Sequence, residues 1–113
     1  MRAEAQQGLV RVALATGDAA AAGRHADALL EAMADPAPGD VTERPAQWLA
    51  VADARHAAGD AERARLALAS AFEELSGQAA CIGDAAARER FLSEVPDNLR
   101  IVQQAALAGL APR

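Results

Sequence analysis

Apolar positions recur at helical spacing along most of the chain. Ala22, Ala26, Leu29, Leu30 and Met33 follow an i, i+4, i+7, i+8, i+11 series that places them on one helix face. Ala64, Leu68, Ala71, Phe72, Leu75 and Ala79 do the same in the second half. Trp48, Val51, Ala52 and Arg55 mark a third face, and Leu99, Val102 and Ala106 a last one. Val and Ile are few and never alternate with polar residues over a useful length, so no strand is expected.

Helix breakers divide this pattern. The segment DPAPGDVTERP, residues 35–45, holds three prolines and a glycine and is expected to be a loop. GQAACIGD, residues 77–84, ends in an aspartate suited to cap a following helix, and Pro96 fits the first turn of another. The pair Gly-Asp occurs at 17–18 and again at 59–60, 42 residues later. Glycine just past a helix end takes the left-handed conformation without strain. Aspartate then accepts the free amide hydrogens of the next first turn. Gly17-Asp18 and Gly59-Asp60 are thus expected to be structural turns and caps, each closing an antiparallel helical hairpin. An alanine follows four residues after each aspartate, at Ala22 and Ala64. The chain is therefore expected to be one all-α domain over 1–113, with an internal repeat of helical hairpins. Its parts are hairpin 1 at 2–34, the Pro-rich loop at 35–45, hairpin 2 at 46–80 and capping helices at 84–110.

The second hairpin resembles a tetratricopeptide repeat. Trp48, Val51, Ala52, Gly59-Asp60, Ala64, Leu68 and Ala71 fall where that repeat has its Trp, Leu, small residue, turn glycine, Ala, aromatic and Ala. Arg55 and Leu68 stand where the repeat has aromatic residues. In the first unit Leu9, Gly17-Asp18, Ala22 and Leu29 fit, and Gln6 replaces the Trp. The usual period is about 34 residues, and the Pro-rich insert accounts for the longer offset here. The tail from 84 to 105 is similar to the segment that closes repeat arrays in large bacterial signalling proteins, through Asp84, Arg88, Phe91, Leu92, Val95, Pro96 and Ile101. The resemblance implies an α-solenoid with a C-terminal capping helix pair. It also implies a concave groove lined by the first helix of each hairpin, which places Gln7, Arg11, Asp53 and His56 there as partner-binding candidates. Arg11 alone has the charge to hold a peptide carboxylate, and Asp53 would repel one, so a ligand of mixed charge fits better.

Composition narrows the chemistry. Alanine makes up 33 of the 113 residues, so helices form readily but bury little surface. All eleven basic residues are arginine, which rules out lysine-dependent phosphate loops, Schiff bases and Ser-Lys dyads. A net charge of -5 argues against a nucleic-acid surface. No apolar run approaches the ~20 residues of a membrane span, and a lone Cys provides no disulfide framework. A cytoplasmic location is the expectation. His25 and His56 lie in different hairpins and are expected to be ordinary surface or partly packed histidines. Cys81 is expected to be a small buried thiol. Glu73-Glu74 and ARERF (87–91) are expected to be solvated faces, and Trp48 a packing residue.

The function expected from these features is protein–protein interaction or scaffolding, in a bacterial regulatory or signalling protein. The partner would be a protein or peptide, with homodimer formation as a further possibility. No enzyme activity, cofactor, metal, nucleic acid or membrane enters this reading. Alternatives are a self-associating sensor region of a transcription regulator or ATPase, or a small helical ligand-binding domain.

Overall fold

The computed structural model describes residues 3–34 and 42–110. It consists of α1 (Ala3–Ala15), α2 (Ala19–Ala34), α3 (Arg44–Ala57), α4 (Ala61–Ala80), α5 (Ala85–Glu94) and α6 (Pro96–Leu107). There is no strand among the described residues, so the all-α class holds.

The hairpin turns follow from local chemistry. Gly17 has φ +77° and Gly59 φ +78°. At the first turn the Asp18 N–H donates to Ala13 O and the Gly17 N–H to Leu14 O, while Asp18 Oδ1 accepts from the Ala21 N–H. At the second, Asp60 N–H donates to Arg55 O, Gly59 N–H to His56 O, and Asp60 Oδ1 accepts from the Arg63 N–H. Each turn therefore satisfies the last carbonyls of one helix and an early amide of the next. The end of α6 repeats the stop: Gly109 has φ +74° and the Leu110 N–H donates to Ala105 O.

A Cβ added at Gly59 would meet nothing within 4 Å, so replacing it costs backbone strain rather than a clash. Gly59→Val is expected to lower stability by about 1 kcal/mol or more. Asp60→Ala is expected to cost about 0.5–2 kcal/mol. Urea melts followed by circular dichroism check both, and unchanged midpoints would contradict the capping roles.

The remaining joints are also explained by their residues. Asp84 caps α5 by accepting from the Ala87 N–H. Arg88 donates to the carbonyls of Ala79 and Ile82, closing the C-terminal end of α4. Val95 is extended, as a residue before proline prefers, and Pro96 opens α6.

Packing runs through sequential neighbours. α1 lies on α2 and α3, α2 on α3, and α3 on α4; α6 packs against α3, α4 and α5. Two buried clusters result. The first joins Val10, Ala13, Ala22, Ala26, Leu29 and Met33 of hairpin 1 to Ala50, Val51, Ala52, Ala54, Ala67 and Leu68. The second joins Leu49, Ala71, Leu75 and Ile101, flanked by Phe72, Phe91, Leu92 and Val102. Trp48 packs against both. Seven of the twelve buried residues in the first cluster are alanine, and Leu29 is its bulkiest fully buried side chain.

Several expectations need correction. α3 begins at Arg44, inside the stretch expected to be loop, because Pro45 serves as an early helical residue and is buried. Residues 35–41 of that stretch lie outside the described residues. The buried face of α6 is Asn98, Ile101 and Ala105 instead of Leu99, Val102 and Ala106. Both triplets have helical spacing, and the buried one contains a polar residue whose amide donates to Phe91 O. Cys81 is exposed, because it is the C-cap of α4 and faces outward there. Glu74 is half-buried between Arg44 and Trp48, and Arg88 is half-buried as the end-cap of α4, so neither belongs to a purely solvated face.

Candidate functional site

Of the four groove candidates, the structure brings Arg11 and Asp53 together and ties both to α6. Arg11 Nη2 donates to Asp97 Oδ2 at 2.9 Å. Arg100 Nη2 donates to both carboxylate oxygens of Asp53 at 3.1 Å. Asp97 and Arg100 lie three residues apart on α6, so one turn of that helix presents an acid to α1 and a base to α3. His56 is exposed, one turn beyond Asp53, and Gln7 is half-buried, one turn before Arg11. The charged face between α1 and α3 is thus engaged by the chain's own last helix.

Burial raises the Asp53 carboxyl above its ordinary value of 3.8, against the opposing pull of Arg100 and Arg11, with Asp97 adding to the rise. The folded chain therefore holds this proton more tightly than the unfolded chain. The stability contribution of the group is complete below its unfolded pKa and is lost as pH rises through the folded one. Asp53→Asn removes that titration. Urea denaturation across the acid range should show the wild type gaining stability relative to the variant as pH falls toward about 4. A constant difference across that range would contradict the burial argument.

A second feature lies on the other side of α3. An open groove of about 470 Å³ is lined by Asp27 and Leu30 of α2, Trp48, Val51 and Arg55 of α3, and Arg63, Leu66, Ala67 and Ser70 of α4. The groove lies where α2 and α4 both pack on α3 with no close backbone approach between them. Its apolar wall includes Leu66, which is 64% exposed. Its charges are unequal in freedom. Arg55 Nη2 is held by Asp27 Oδ1 at 2.6 Å, and the Arg55 side chain is only 11% exposed. Arg63 reaches Asp60 at 3.6 Å with its side chain 67% exposed, leaving its donors turned to solvent at the rim.

Trp48 is fixed in the groove by its indole N–H, which donates to Glu74 Oε2. Glu74 Oε1 also accepts from Arg44 Nε at 2.6 Å, and Arg44 Nη1 donates to Met33 O at the end of α2 at 3.2 Å. This chain of bonds holds the indole in one orientation and joins three helices. Arg55, the departure from the aromatic residue of the repeat pattern, replaces packing with an ion pair to a helix 28 residues away. Sequence reasoning missed the groove. Its one signal was Leu66, a large apolar residue off the Ala64–Leu68–Ala71 face.

Among the described residues, no group of three or more His, Cys, Asp and Glu side chains could hold a metal ion. No helix among them is long and apolar enough to cross a membrane. His25 and His56 do not line the groove. No family model matches the chain, and neither curated proteins nor solved structures yield a match.

Proposed function

We propose that this chain is a protein-interaction module, a short tetratricopeptide-like α-solenoid that holds a peptide segment of a partner protein in the groove between α2 and α4. The observation that carries this reading is the groove itself: an apolar wall with the exposed Leu66, a rigidly held Trp48 and one solvent-facing guanidinium at the rim. Exposed apolar surface bordered by charge is the composition of a docking site. The two Gly-Asp hairpins at a 42-residue offset support the solenoid reading. The α1–α3 face is the less suited of the two, because Asp97 and Arg100 already satisfy its charges. The segment that fits carries a bulky apolar side chain for the wall formed by Leu30, Trp48, Val51 and Leu66, and a carboxylate for Arg63. The reading assigns the chain no reaction of its own.

Selection of a displayed random-peptide library on the immobilised chain tests this. Enriched sequences should share an apolar anchor near an acidic residue, and synthetic copies should lose at least tenfold in affinity toward Leu66→Asp. Enrichment of no sequence, or binding indifferent to Leu66→Asp, would overturn the proposal. Leu66 is exposed, so the variant is expected to keep its helical circular dichroism.

A further inference from the structure

The groove between α2 and α4 offers a ligand side chains and no main chain. Every residue that lines it lies within α2, α3 or α4, so its backbone groups are spent on helical bonds. The two positions nearest helix ends are no exception. The Arg63 N–H donates to Asp60 Oδ1, and Arg55 O accepts from the Asp60 N–H. An extended peptide on this wall would press part of its own N–H and C=O groups against Leu30, Trp48, Val51 and Leu66, where the protein supplies no backbone partner. A helical segment satisfies those groups internally and asks the groove for side chains alone.

The side chains available set a register. Ser70 lines the groove and is half-buried, and its hydroxyl makes no hydrogen bond among the described residues. Thr16 and Ser93, by contrast, turn their hydroxyls back to carbonyls four residues earlier. Ser76, the other serine of α4, is also without a bond but does not line the groove. A half-buried hydroxyl in an apolar wall is a polar group open to a ligand. Arg63, the solvent-facing cation, lies seven residues earlier on the same helix, with Leu66 and Ala67 between them. α4 thus presents cation, apolar surface and hydroxyl in line over two turns, about 10 Å. An α-helix laid alongside meets that series with residues seven apart, whereas an extended chain spans it in about three.

We infer that the partner segment docks as an amphipathic α-helix: an acidic residue on Arg63, apolar residues three and four positions along against Trp48, Val51 and Leu66, and a hydrogen-bonding side chain seven positions along on Ser70. Ser70 is then the residue that fixes the register. The inference rests on the groove being the docking site and adds the conformation and spacing of what docks there.

Fluorescein-labelled synthetic peptides test it by anisotropy titration of the full chain. One peptide carries Glu, Leu, Leu and Gln at i, i+3, i+4 and i+7 in an alanine-rich background, made in both sequence orders. The control holds the same four residues with Glu and Gln three apart, flanked by prolines that bar a helix. One order of the helical peptide should bind at least tenfold tighter than the control and gain helical circular dichroism when bound. Ser70→Ala removes no bond within the chain, so its own dichroism should hold. It should weaken the helical peptide about fivefold, and replacing the peptide's Gln by Ala as well should add little, as a shared hydrogen bond requires. A control that binds as well as the helical peptide, or binding indifferent to Ser70→Ala, would overturn the inference. If that binding is still lost in Leu66→Asp, the groove reading survives. Binding of neither peptide up to millimolar would also overturn the inference, and the random-peptide selection then decides the groove reading separately.

Discussion

Leu29→Ala is expected to remove about 2–5 kcal/mol of stability, with the upper half of that range favoured by the surroundings. Leu29 is fully buried in the first cluster, and its neighbours there include Ala13, Ala22 and Ala26. Alanine has no rotamers with which to reach into a vacated space, so the site can close only if helix backbones move. α2 is held at both ends, by the Asp18 turn and by Arg44 on the Met33 carbonyl, which opposes that movement. Against a total of about 5–15 kcal/mol for a domain, the loss is a large fraction. Urea denaturation should show a lower midpoint with an unchanged slope. A loss well under the expected range would mean that the alanine-lined contact slides closed and is less rigid than its packing implies.

Ile101→Ala is expected to cost a similar amount, about 2–5 kcal/mol, but to act on a different part of the molecule. Ile101 is the fully buried anchor of α6 in the second cluster, with Leu49, Ala71 and Leu75. The other ties of α6 to the first four helices include the Arg11–Asp97 and Arg100–Asp53 pairs and the hydrogen bond from Arg65 to Ala108 O. Exposed pairs of this kind contribute about 0–1 kcal/mol each, so they do not replace the lost anchor. α5 has no buried residue of its own and is held by its neighbours. The variant should therefore lose hydrogen-exchange protection over 85–107 while α1 to α3 stay protected. Loss of protection spread evenly through all six helices would show instead that the two clusters unfold as one unit.

Much of the fold was legible in the sequence because alanine-rich helices with sharp stops leave local marks. The Gly-Asp turns, the Asp84 cap and Pro96 at the start of α6 all rest on interactions within a few residues. The errors arose where distant residues decide. Asn98 is buried because Phe91 offers a carbonyl, Glu74 is half-buried because Arg44 and Trp48 reach it, and Arg88 turns inward because the end of α4 needs donors. The candidate site was legible only in part. The repeat resemblance placed Arg11 and Asp53 among the groove candidates, but nothing in the spacing showed that Asp97 and Arg100 would meet them. The groove depends on how far apart the backbones of two helices lie, which has no signature along the chain beyond the out-of-phase Leu66.

The position of Trp48 gives the molecule a built-in optical reporter. The chain has one tryptophan and no tyrosine, so nearly all its emission comes from this indole. The ring packs against both clusters and donates to Glu74, which puts it on the seam between hairpin 1 and the C-terminal helices. Opening of either half would change the polarity around the same fluorophore. Coincident fluorescence and circular-dichroism transitions would indicate one cooperative unit, and a fluorescence change that precedes loss of helix would time the parting of the two halves.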